Sequence, residues 1–147
     1  MRLVGRSIYR GNAFGQAMVS ALPISFFGGV DPDTGIVVER GHPLEGQCIT
    51  GKVLVFPTGK GSTVGSYTLY RLKKAGTAPL AILNAECETI TAVGCIIAEI
   101  PCLDHIPIEQ ILPEAWVKVN AAEGWVQSDP GEQSSNSNHQ PFCGGSS

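Results

Sequence analysis

The chain has 147 residues, enough for one domain built around a single core. Its formal net charge of -3 and pI near 5.5 exclude the basic face that a nucleic-acid binder needs to neutralise phosphates. Charged residues are only 16% of the chain, below the roughly 25% usual in soluble domains, so part of the surface is expected to meet a partner.

In chain order, Arg2 to Tyr9 and Ala13 to Val19 read as two strands, with Gly11-Asn12 as the turn between them. Met18 to Val30 is the longest apolar stretch; Ser20, Pro23 and Ser25 interrupt it, and it is too short to span a bilayer. No charged leader followed by an apolar run opens the sequence, so no secretory signal is expected and a cytoplasmic location follows. Pro23 to Phe27 ends at Gly28-Gly29, Asp31-Pro32-Asp33-Thr34-Gly35 is a turn, and Ile36 to Val38 reads as a short strand.

Lys52 to Phe56 reads as a buried strand stopped by Pro57. The loop Thr58 to Thr63 leads into a helix through Tyr67, Tyr70 and Lys74, with Gly76 at its C-cap. Leu80 to Leu83 is another buried strand, Thr91 to Glu99 a short helix with Val93, Ile96 and Ile97 on one face, and Pro101 to Leu103 short and apolar. Trp116 to Asn120 and Gly124 to Val126 form a hairpin. Residues 1–127 read as one mixed β/α domain with a compact β core and a few short helices, and 128–147 as a disordered polar tail. The five cysteines (Cys48, Cys87, Cys95, Cys102, Cys143) are scattered without a CxxC pair, so reduced thiols and no metal site of the chain's own are expected.

The segment from Val53 to Ser66 is a strand, a glycine loop and a helix start, which gathers backbone N–H groups and a positive dipole end at one spot. Such a spot binds carboxylate or phosphate, and Lys60 adds a positive charge. It is not a Walker A loop, because Leu54 occupies the first glycine position and Gly61 follows the lysine. On local pattern alone, Ser62, Thr63 or Ser66 is as well read as a helix cap, Asp31 and Asp33 as turn formers, and Tyr67 and Tyr70 as packing residues. His42 and His105 have no paired residue at ligand spacing and read as surface or capping groups.

Over residues 3 to 126 the sequence resembles the small subunit, or swivel domain, of the aconitase X family. The likeness rests on Pro23 to Gly35, on Gly46 to Ser66 with its Phe-Pro-Thr-Gly-Lys-Gly-Ser-Thr-Val-Gly-Ser core, and on Ala92 to Pro101 followed by Leu103-Asp104. The resemblance implies an aconitase-type swivelling β/β/α domain and a heteromeric, iron-dependent hydro-lyase. In such enzymes a serine of a Gly-Ser loop removes a proton beside a carboxylate, and the matching position is Ser62. It also implies a large subunit as partner, a small carboxylate substrate, and an iron centre (an iron-sulfur cluster or mononuclear iron) held by that large subunit. Gly61, Thr63, Lys60, Gly28, Gly29 and Asp31 are the groups expected to line the substrate. The scattered cysteines and polar tail favour the bacterial branch, whose members resemble cis-3-hydroxy-L-proline dehydratases. The alternative is phosphomevalonate dehydratase of a modified mevalonate pathway. A swivel-type binding module without chemistry is the non-enzymatic rival, and a phosphocarrier is disfavoured because residues 59–65 contain no histidine.

Overall fold

A computed structural model describes residues 2–129. Among them, eight strands and two α-helices follow the order β1 (Arg2–Val4), β2 (Arg6–Tyr9), β3 (Asn12–Val19), β4 (Val53–Phe56), α1 (Gly65–Ala75), β5 (Ala81–Asn84), α2 (Thr89–Ala98), β6 (Cys102–Asp104), β7 (Trp116–Asn120) and β8 (Trp125–Asp129). The spatial order is β1-β8-β7-β3-β4-β5-β6-β2. Its two ends are consecutive pieces of chain, so the sheet curls round and its edges meet at Gly5. A side chain at Gly5 would collide with the Asp104 carbonyl and Ile106, and the Gly5 N–H donates to Gly124 O at 2.9 Å.

That junction divides what reads in sequence as one strand from Arg2 to Tyr9. β1 pairs antiparallel with β8 on one side, and β2 pairs antiparallel with β6 on the other. β3 is likewise shared. Asn12 to Gln16 pair antiparallel with β7, whereas Ala17 to Val19 pair in parallel with β4. The strands flanking Gly11-Asn12 therefore do not form a hairpin with each other; the hairpin expected between β7 and β8 is present.

β4, β5 and β6 run parallel and are covered on both faces, which is why each reads as an unbroken apolar run. Alternate side chains feed two cores. Val53, Val55 and Leu83 face the core enclosed by the curled sheet with Leu3, Val117 and Val126. Leu54, Phe56 and Ile82 face the helices, packing with Ile24, Phe26, Leu69, Leu72 and Cys95.

The short strand expected at Ile36 to Val38 reduces to isolated bridges, Val30 with Val37 and Ile36 with Cys48, and Ile24 forms a further bridge with Gly59. Cys48 is disulfide-bonded, which corrects the expectation of five reduced thiols; Cys87, Cys95 and Cys102 are free. β8 continues through the buried Ser128 to Asp129, past the compositional boundary at 127/128. Residues 130–147 of the expected tail lie outside the described residues. No helix among the described residues is long and apolar enough to cross a membrane.

Candidate functional site

β4 and β5 each hand the chain to a helix, so the loops entering α1 and α2 lie together beyond the carboxyl ends of parallel strands. That is where α/β sheets open crevices for ligands. The first of these loops is held at its start by the segment running from Pro23. Ile24 N–H donates to Thr58 O at 3.3 Å, and Lys60 N–H donates to Ile24 O at 3.0 Å. Gly59 is buried because a side chain there would meet the Glu88 carboxylate and the Thr91 hydroxyl.

Glu88 fixes the second loop. Its carboxylate accepts N–H bonds from Ile90 and Thr91, both at 2.8 Å, and the Thr91 hydroxyl at 2.6 Å, capping α2. α2 therefore begins at Thr89, earlier than the apolar periodicity suggests. Glutamate is an uncommon N-cap beside Ser, Thr, Asp and Asn, and for that reason the start was not legible.

Gly61 takes φ +100°, a conformation that side chains rarely adopt, and a Cβ there would lie 2.5 Å from Ser25 Oγ. The loop then turns so that Ser62, Thr63 and Val64 are exposed. Ser62 Oγ accepts the Val64 N–H at 3.1 Å, and Ser62 O accepts the Gly65 N–H at 2.9 Å. Ser62 is thus not the N-cap of α1; Val64 is, without a side-chain bond, and Ser66 Oγ–H donates instead to Ile90 O at 2.8 Å. Among the described residues the N–H groups of Gly61, Ser62 and Thr63 have no hydrogen-bond acceptor. These three residues are exposed and immediately precede the N-cap of α1, beside the Ser62 hydroxyl.

Gly29 is linked to this loop through Ser25 and Glu39, whereas Gly28 lines the same cavity as Asp31. The Ser25 hydroxyl that faces Gly61 donates to Phe27 O at 3.1 Å, and a Cβ on Gly29 would strike Ser25 O and sit 3.3 Å from Glu39 Oε1. The other Glu39 oxygen holds Lys60 Nζ at 2.9 Å, so the positive charge expected from Lys60 is compensated within the chain. Glu39 was not singled out from the sequence, since its partner is 21 residues away.

Asp31 departs from the group. Its Oδ1 accepts the Asp33 N–H at 2.9 Å, and it borders a separate cavity of about 290 Å³ with Phe27, Gly28, Val38 and Arg71. Turn shaping, the plain reading of that aspartate, is its visible role. His42 is buried rather than at the surface: Nδ1 accepts the Leu44 N–H at 3.1 Å, so Nε2 carries the proton and donates to Pro23 O at 3.0 Å. Tyr67 and Tyr70 are exposed instead of packed; with Thr63, Ser66, Val93 and Ile97 they line a groove of about 640 Å³ between α1 and α2.

Asp104 and Cys87, near the start of α2, are engaged with their neighbours. Asp104 is fully buried. Burial pushes its carboxyl up, but Arg6 (2.8 and 2.9 Å) and the Cys87 N–H (2.9 Å) outweigh that and hold it below the usual carboxylate range. The Cys102 sulfur 3.9 Å away and burial push the Cys87 thiol up, far from a thiolate. Among the described residues no group of three His, Cys, Asp or Glu side chains could hold a metal ion. With Glu88 committed to a cap, Asp104 to Arg6 and Cys87 protonated, the donor set here does not fit an iron site.

The aconitase X swivel-domain family matches residues 2–128. This chain belongs to that family. Among aconitase X relatives, the phosphomevalonate dehydratase small subunit of Methanosarcina acetivorans is 55% identical over 130 residues, covering 86% of this chain and 90% of that one. The phosphomevalonate dehydratase small subunit of Thermococcus onnurineus is 54% identical, covering 86% of this chain and 98% of its own length. The crystal structure of Thermococcus kodakaraensis aconitase X in its holo-form superposes with a TM-score of 0.86 at 49% identity, over 87% of this chain and 98% of that one. The swivel fold that the resemblance implied is therefore the fold observed, and the mixed β/α domain read from the residues agrees with it. The relatives favour the phosphomevalonate alternative and lend no support to cis-3-hydroxy-L-proline.

Proposed function

We propose that this chain is the small subunit of a two-subunit hydro-lyase that dehydrates phosphomevalonate, with Ser62 as the base. The reading is supported by the names of relatives about half identical over nearly the whole described domain. The observation that carries it is the setting of Ser62: an exposed hydroxyl accepting the Val64 N–H, among three N–H groups without acceptors.

Phosphomevalonate is a 3-hydroxy acid, so dehydration removes a proton from the carbon beside the carboxylate and hydroxide from the next carbon. A serine hydroxyl is a weak base in water, and its alkoxide needs preorganised donors. The Val64 N–H already points at Oγ, and the first turn of α1 favours negative charge at that position. Ser62 takes the proton, the C–H electron pair becomes the double bond, and hydroxide leaves, for a net loss of water. The N–H groups of Gly61 and Thr63 suit a carboxylate or phosphate oxygen, while Lys60 contributes once an anion competes with Glu39. Gly28 and Gly29 shape the facing turn. The iron centre that the family implies belongs, in this reading, to the large subunit.

The test is co-expression with the large subunit and assay of both phosphomevalonate and cis-3-hydroxy-L-proline. Ser62→Ala is expected to assemble normally and lose turnover by about 10²–10⁴-fold, the usual contribution of a positioned base. Turnover close to wild type in the assembled variant removes Ser62 from the chemistry. Activity on hydroxyproline alone returns the substrate to the bacterial reading.

A further inference from the structure

α2 contains no charged residue over Thr89–Ala98. Thr91, Gly94, Cys95 and Ala98 turn inward, and Gly94 lets Leu69 of α1 approach so closely that a Cβ would not fit. The opposite face carries Val93, Ile96 and Ile97, which are 43%, 49% and 42% exposed. α1 adds Tyr67 and Tyr70 to the same surface, with Tyr67 66% exposed. A helix apolar all round is normally a covered helix. A contiguous apolar surface with aromatics and no charge at its centre has the composition of an interface core.

We propose that this outer face of α1 and α2 is where the large subunit docks, with an apolar side chain of that subunit seated in the groove between Tyr67 and Ile97. The proposal rests on the two-subunit reading above and adds the surface. The occupant follows from continuity. Thr63 lines the groove and is the residue after Ser62, so whatever covers the groove also reaches the Ser62 loop. A second copy of this chain seated there would close the loop against substrate without supplying the rest of an active site. The large subunit completes the site by the same contact. At the far end of α1 Lys74 is exposed with Nζ 5.8 Å from the Tyr70 ring, while Lys73 is taken up by the carbonyls of Ala98 and Glu99.

The experiment titrates the purified full chain into the large subunit from the same organism by calorimetry and records circular dichroism and melting of each variant. Ile97→Asp places a carboxylate in the groove and is expected to weaken binding at least about 30-fold, the scale of a hot-spot residue. Tyr67→Ser, at a more exposed position, guards against loss of folding and is expected to weaken binding with an unchanged melting curve. Val4→Asp, equally apolar but on β1, is expected to bind as wild type. Wild-type affinity in folded Ile97→Asp and Tyr67→Ser overturns the proposal. So does a wild-type dimer that Ile97→Asp splits while large-subunit binding is unchanged. Ser62→Ala separates the two readings: assembly with retained turnover defeats the base and leaves the surface standing.

Discussion

Gly61 is the residue on which the shape of the Ser62 loop turns. Its φ of +100° and the nearness of Ser25 leave no room for a side chain without moving the loop. Gly61→Ala is expected to cost about 1–2 kcal/mol of stability through backbone strain. It should also lower turnover by about 10²-fold, since a displacement near 1 Å is enough for that. Steady-state kinetics of the assembled variant decide it, and turnover within a few-fold of wild type would mean that the loop tolerates another path. Local pattern marked the glycine loop and the helix start but read Ser62, Thr63 and Ser66 alike as helix caps; the aconitase X resemblance selected Ser62 among them. Glu39 and Ser25, which pin Lys60 and Gly61, could not be marked by local pattern, because a loop closed by residues 21 and 36 positions away leaves no periodic trace. Asp31 Oδ1 accepts the Asp33 N–H, the turn role that its proline neighbour suggests, and this bond does not test whether Asp31 also lines the substrate.

At the scale of elements, α2 is held at its start by one carboxylate and closely packed along its length by a glycine. Glu88 satisfies two of the orphan N–H groups of the first turn and places negative charge at the positive end of the dipole. Glu88→Ala is expected to destabilise the chain by about 1–2 kcal/mol, the cost of losing a helix cap. Urea unfolding measures this directly, and an unchanged midpoint would show that solvent replaces the carboxylate at no cost. Periodicity groups Val93, Ile96 and Ile97 on one face, and an apolar face is ordinarily the buried one. Here the buried face is the small-residue side, Thr91, Gly94, Cys95 and Ala98, which allows α1 to approach. A pattern rule assumes that the chain buries its own apolar surface, and that assumption fails for a subunit whose outer face is completed by another chain.

Over the whole molecule, closure of the sheet depends on a tie that is distant in sequence. Arg6 in β2 and Asp104 in β6 are 98 residues apart, and their two-bond pairing sits beside Gly5, where the curled edges meet. Hydropathy marked Arg2 to Tyr9 as one strand and Pro101 to Leu103 only as short and apolar, and could not show that the first strand breaks to serve both edges, because neither partner is near in sequence. Asp104 also accepts the Cys87 N–H, so it links this closure to the turn that delivers Glu88 and α2. Its carboxyl is held below the ordinary value in the folded chain. A group depressed on folding contributes stability above its unfolded pKa of about 3.9, and that contribution is lost as pH falls through the lower folded value. Wild type and Asp104→Asn should therefore differ most in unfolding free energy at neutral pH. The gap should narrow progressively below about pH 4, where the wild-type carboxyl takes up its proton. Urea titrations across that range test it. A gap that stays constant into acid would mean that the variant suffers from lost shape rather than lost charge, and that the Arg6 pairing does not stabilise the closed sheet.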